Sequence, residues 1–137
     1  LARILSIDYG RKRTGLAVTD PLQLIAGGLA TVATSDLYDW LNDYIAREPV
    51  ERIVIGEPRQ PNGQPSENLA RVQEFVNRWR RHVPSVPIEF YDERFTSVLA
   101  HQAMIDGGLK KKARQNKALV DEISATIILQ DYMRSRK

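Results

Sequence analysis

The sequence predicts an α/β protein: a mixed sheet with helices on its faces. Three observations carry that expectation. The apolar run ILSIDY is followed, after a short turn, by a second run, TGLAVT, the pattern of a hairpin. Further along, ERIVIG (51–56) is a short continuous apolar run, as expected of a parallel strand covered on both faces. Between the later strand patterns lie stretches with apolar residues at helical spacing, so a meander gives way to alternating strand and helix units.

Each element has its own signal. Residues 3–9, rich in Ile and Leu, form the first strand, and Gly10 to Arg13 make a tight turn. Residues 14–19 return antiparallel, and LIAGGLATVA (24–33) makes a third strand, with Gly27 and Gly28 marking a bend or bulge. Ser35 or Asp36 caps a helix that carries Leu37, Leu41, Tyr44 and Ile45 on one face, and Pro49 ends it. A loop rich in Pro, Gly and Gln follows the fourth strand, from Glu57 to Pro65. Ser66 then caps a helix whose stripe is Leu69, Val72, Phe75, Val76 and Trp79. Pro84 and Pro87 bracket the turn into IEFYDER, the fifth strand. Thr96 or Ser97 starts another helix that stops near Gly107 and Gly108. The loop 109–117 leads into a last long helix, roughly 117–135. The sheet should therefore combine a three-stranded antiparallel meander with two parallel strands.

Composition narrows the function. The chain has 137 residues, enough for one domain spanning 1–137. It has no cysteine, which excludes disulfides and thiolate metal sites and suits the cytoplasm. It shows no signal-peptide pattern and no apolar run long enough to span a bilayer, so no membrane partner is expected. A net charge of +3 leans toward a polyanionic partner. The distribution says more: KKKARQNK (Lys110 to Lys117) contains no acid, and Arg11, Lys12 and Arg13 sit directly behind Asp8. His82 and His101 have no ligand or catalytic spacing.

Asp8 ends a strand that reads as buried, where a carboxylate costs several kcal/mol to desolvate unless it is paired or holds a metal. Glu57 follows the fourth strand, and Asp92 and Glu93 end the fifth. Ligand sites in open α/β sheets gather at the carboxyl ends of strands, where these acids fall. Asp121 shares a helix face with the small residues Ser124 and Ala125, so that face can approach a sheet closely. Singly, each acid has an ordinary role as turn former, surface ion pair or early-helix acid. Together they occupy topologically matched places. Clustered carboxylates call for a hard divalent cation, Mg²⁺ or Mn²⁺, and two such ions suit in-line phosphodiester cleavage. The basic residues nearby, Arg11, Lys12, Arg13, Arg94, Lys110, Lys111, Lys112, Arg114 and Lys117, would contact phosphates of a nucleic acid. Strand alternation lets only one of Asp92 and Glu93 face Asp8, and spacing leaves the choice open.

Four blocks, SIDYGRKRTGLAVTD, IVIGEP with NG a few residues on, YDERFTSVLA and VDEISATIIL, resemble the YqgF/RuvX family of RNase H-like proteins. That family is described as pre-16S rRNA nucleases or Holliday junction resolvases. The resemblance covers nearly the whole chain. It implies an RNase H-like five-stranded mixed sheet with helices on both faces, a cytoplasmic protein and a link to ribosome biogenesis. Carried over by motif, the acidic set falls on Asp8, Glu93 and Asp121, which would hold divalent metal. The family usually reads Gly-Leu-Pro after the fourth strand, whereas Gly56-Glu57-Pro58 stands here, so Glu57 is either a further metal ligand or a surface substitution.

Four functions compete. The first is a metal-dependent endonuclease acting on structured RNA, the 5′ end of pre-16S rRNA above all, with ribosome precursor particles as partners. The second is a resolvase of four-way DNA junctions, which needs two symmetric sites and hence a dimer. No dimerisation helix stands out, which leaves monomer or dimer open and tilts the expectation toward RNA. The third, an actin-like ATPase, needs a second lobe that this length does not supply. The fourth is a non-catalytic RNA-binding assembly factor.

Overall fold

The computed structural model describes residues 1–58, 66–92 and 117–136. Its elements are β1 (Arg3–Tyr9), β2 (Arg13–Thr19), β3 (Ala26–Ala33), a 3-10 turn (Thr34–Asp36), α1 (Leu37–Arg47), β4 (Val50–Glu57), α2 (Leu69–His82), β5 (Ile88–Asp92) and α3 (Lys117–Ser135). The five strands form one sheet in the order β3-β2-β1-β4-β5. The pairs β1/β2 and β2/β3 are antiparallel, and β1/β4 and β4/β5 are parallel. β1 is therefore the central strand, which is why Ile4, Leu5, Ser6 and Ile7 are all buried.

Successive side chains of a strand point to opposite faces, and helices cover both. Leu5 and Ile7 of β1, Leu16 of β2 and Ile53 and Ile55 of β4 pack against α1 and α2. The predicted α2 stripe, Leu69, Val72, Phe75, Val76 and Trp79, is buried in full. On the other face Ile4, Ala17 and Val54 meet Ala125, Ile128, Leu129 and Tyr132 of α3.

Three local expectations change. The third strand starts at Ala26 rather than Leu24, because the Asp20 carboxylate accepts hydrogen bonds from the backbone N–H groups of Leu22, Leu24 and Ile25 and holds them in a loop. The bulge lies at Leu29, since Leu16 pairs with Ala30 and Ala17 with Gly28. Ser66 does not cap α2. Asn68 occupies that position, and the Ser66 hydroxyl donates to the Pro58 carbonyl at 2.7 Å. Asp36 does precede α1, but it makes no side-chain cap hydrogen bond. The helix expected between Thr96 and Gly108 lies outside the described residues.

Candidate active site

The site grows from the turn between β1 and β2. Tyr9 pairs with Thr14, leaving Gly10 to Arg13 to reverse the chain. A Cβ on Gly10 would lie 2.1 Å from the Arg13 carbonyl oxygen, so the turn demands glycine. Thr34, the first residue of the 3-10 turn after β3, ties the turn down. Its hydroxyl donates to the Gly10 carbonyl at 2.7 Å, and its N–H donates to the Lys12 carbonyl at 2.9 Å. Arg11 and Lys12 are exposed on this fixed turn, directly beside the end of β1.

Asp8 shares the α3 face with Ile4 and Ser6, as strand alternation requires. The buried Ser6 hydroxyl donates to the Ala125 carbonyl at 2.7 Å, pinning α3 to β1. Asp8 lies two residues further along β1, and Asp121 lies about one turn earlier along α3. Gly15 stands directly across from Asp8 in the β1/β2 register. A Cβ there would lie 2.1 Å from the Asp121 carbonyl oxygen and 2.4 Å from its carbonyl carbon. The missing side chain is what lets the α3 backbone reach the sheet and bring Asp121 beside Asp8.

The electrostatics follow. Burial, and then the Asp121 charge, push the Asp8 carboxyl up to about 6. Arg13 Nε donates to Asp121 Oδ2 at 2.7 Å, so a cation already offsets the outer member of the pair. This pair is half exposed and adds little stability, at most about 1 kcal/mol. Its role is orientation: it ties the basic turn to the start of α3.

Other candidates fall elsewhere. β4 continues past Ile55, which pairs with Ile7, so Gly56 rather than Glu57 belongs to the face of Asp8. Glu57 alternates with Ile55 and stands in register with Asp92, which alternates with Phe90. Both acids thus belong to the α1/α2 side of the strand ends. The expectation that Glu57 sits beside Asp8 and Asp121 does not match this register. Glu93, Arg94, Lys110, Lys111, Lys112 and Arg114 lie outside the described residues, as does the Lys117 side chain. Gly15 and Ser6 were not singled out from sequence. An isolated glycine inside a strand is the available signal, since it marks close approach by another backbone.

Among the described residues, no group of three or more His, Cys, Asp or Glu could hold a metal ion. The donors that do come together are two carboxylates, Asp8 and Asp121. Oxygen-only donors suit a hard cation, and Mg²⁺ takes one or two carboxylates and fills its shell with water and phosphate oxygens. A carboxyl that burial makes hard to ionise is one that such a cation relieves. The residues present fit a divalent cation.

A central strand ending in an acid, an antiparallel hairpin beside it, parallel strands beyond it and a helix bringing a second acid define the RNase H-like class. Across residues 2–135 the chain matches the model of the RuvX family, described as Holliday junction resolvase, and it belongs to that family. It is 65% identical over 137 residues to a Phocaeicola vulgatus protein named "Putative pre-16S rRNA nuclease", covering 100% of this chain and 99% of that one. A Bacteroides thetaiotaomicron protein of the same name is 59% identical over 137 residues, with coverage of 100% and 99%. Among solved structures, T. thermophilus RuvC in complex with a Holliday junction superposes with a TM-score of 0.57 at 17% identity, covering 98% of this chain and 96% of that one. The Fowlpox virus resolvase bound to Holliday junction DNA gives 0.59 at 13% identity, with 98% of each chain covered. At these identities the likeness concerns the fold.

Proposed function

We propose that the chain is a metal-dependent endonuclease of structured nucleic acid, with the precursor of 16S rRNA as its substrate in the cytoplasm. The observation that carries this reading is the meeting of Asp8 and Asp121 across Gly15, where the carboxyl of Asp8 is raised and oxygen donors alone are gathered. The names of relatives that match over the whole length support the choice of RNA. When bound, a divalent cation would supply an activated water and stabilise the leaving oxygen. The chain's own part is to hold the acids at a fixed spacing, with Ser6 and Gly15 docking α3. Arg11 and Lys12 are presented toward phosphates flanking the scissile one. Asp8 and Asp121 would hold the cation, and Arg13, which pairs with Asp121, would stand beside them as a phosphate contact on the same turn.

The family description and the resolvases among the structural neighbours favour a second reading, resolution of a four-way DNA junction. One preparation offered both substrates separates the two. Precursor rRNA should be cleaved with Mg²⁺ or Mn²⁺ and the junction left intact. Asp8→Asn should lose cleavage by at least about a hundredfold, since even removing an outer partner of a metal ligand costs 10–100-fold. Added Mn²⁺ should raise the melting temperature of the parent and not that of Asp8→Asn. Junction cleavage with intact rRNA would move the assignment to the second reading. Undiminished cleavage by Asp8→Asn would remove Asp8 from the site.

A further inference from the structure

The same strand end has a second face. Asp8 faces α3, and Tyr9, the next residue, faces α1 and α2 by strand alternation. There it opens onto a cleft of about 390 Å³ between the start of α1 and the side of α2. That volume lies within the range of about 300–1,000 Å³ usual for small-ligand sites. The lining is specific in kind. Tyr9 packs on Phe75 at 5.6 Å between ring centroids, and Arg78 lies 3.8 Å above the centre of the Tyr38 ring. Arg71, Glu74, Phe75 and Arg78 recur at spacings of three, one and three along α2, so they share one face.

We infer that this cleft is a subsite for an unpaired nucleotide of the substrate strand, with the base among Tyr9, Tyr38 and Arg78 and its phosphates against Arg71 and Arg78. The inference rests on the nucleic-acid reading given under Proposed function. Three features point to a nucleotide rather than to a bare anion. Aromatic rings and a guanidinium over a ring are the platforms on which unstacked bases sit. The two arginines stand about two turns apart, each about one turn from Glu74, so the positive charge flanks an acid at the centre. A carboxylate only accepts hydrogen bonds, so Glu74 is suited to the exocyclic amine of a base, as cytosine offers, and repels a phosphate at that position. Position supplies the rest. A strand whose scissile phosphate lies at Asp8 passes over the end of β1 to reach Tyr9, because the two residues are consecutive.

The test is binding without divalent metal, so that nothing is cleaved. The probes are short fluorescein-labelled oligocytidine and oligouridine, as RNA and as DNA, read by anisotropy. The parent should bind oligocytidine more tightly than oligouridine, and Glu74→Gln should narrow that difference. The double variant Arg71→Ala/Arg78→Ala, and separately Tyr9→Leu, should each weaken oligocytidine binding about tenfold, and Tyr9→Phe should restore it. Arg47→Ala/Arg81→Ala removes the same charge from surface outside the cleft and should change affinity less. Cleft variants that bind like the parent, or that lose no more than this control pair, would overturn the subsite. If those variants also cleave rRNA normally, the nuclease reading stands without it. Cleft-dependent binding by a parent that cleaves nothing would keep the subsite and remove the nuclease reading.

Discussion

The two faces of the sheet are held by different means. On the α1/α2 face the contacts are apolar and cumulative. Trp79 is fully buried and joins Phe75 at 6.3 Å and Tyr38 at 5.9 Å, and its indole N–H donates to the Val86 carbonyl at 3.0 Å. On the α3 face Ile4, Val54, Ile128 and Leu129 also pack together, but small residues and polar anchors set the distance. Ala17 and Ala125 are buried there, the Ser6 hydroxyl holds the Ala125 carbonyl, and the hydroxyls of Tyr91 and Tyr132 donate to Asp131 and Glu89. An apolar face is held by many weak contacts, none of which fixes the place of one particular atom. A face that positions two carboxylates has to fix such places. One face supplies stability, and the other spends some of it on placement.

That contrast can be broken at four points. Leu41→Ala, in the same cluster but away from the cleft, should cost about 2–5 kcal/mol in urea unfolding, as large-to-small core changes do, and leave cleavage per folded molecule unchanged. A larger loss of cleavage than of stability would show that the faces are coupled.

Asp8→Asn should do the opposite and stabilise the metal-free protein at pH 8. Below pH 3.8 Asp8 is protonated in folded and unfolded chains alike. Between pH 3.8 and about 6 the unfolded chain releases a proton that the folded chain keeps, so stability falls as pH rises, and the loss is complete above about 6. Two pH units correspond to about 3 kcal/mol. The parent should show this slope in its unfolding free energy, and Asp8→Asn should lack it.

Gly15→Ala should destabilise by about 1–3 kcal/mol, the usual cost of overpacking, because the α3 backbone must retreat. Gly27→Ala, whose Cβ would meet nothing within 4 Å, should be neutral or stabilising by about 0.5 kcal/mol. Equal effects at the two glycines would remove the close approach as the device that sets the site. The smallest effect concerns Asp20, whose carboxyl is held below its ordinary range chiefly by the Ile25 N–H. What it contributes is present at neutral pH and is lost as pH falls through that lowered value. Asp20→Ala should speed amide exchange at Leu24 and Ile25 and leave rRNA cleavage unchanged.

Much of this was legible in the sequence where periodicity speaks. The stripe of α2, the run of β1 and the span of α3 follow from spacings of 3.6 and 2, because burial imposes those periods directly. The acids at the ends of β1 and on α3 were legible for the same reason, since period decides which face each occupies. Glu57 was not. Its place depends on counting from Ile55 in the β1/β4 register, and a strand end read from sequence is uncertain by a residue or two, which is enough to change faces. Ser66 and Asn68 are both good cap residues two positions apart, and local chemistry does not choose between them. Gly15 carried a signal that the acids obscured. Its meaning depends on what packs over it, which no local pattern contains.

The contact at Gly15 involves the carbonyl of Asp121, atoms that every amino acid has. The close approach of α3 at Gly15 is therefore made chiefly by main-chain atoms, and what the Asp121 carboxylate adds is its tie to Arg13. Position 121 becomes a socket for exchangeable ligands on a fixed mount. Asp121→His or Asp121→Cys would present imidazole or thiolate from the same backbone position, and the ligand series favours zinc or copper over magnesium as the donors soften. The fold thus offers a way to change the metal preference of a nuclease without rebuilding its scaffold.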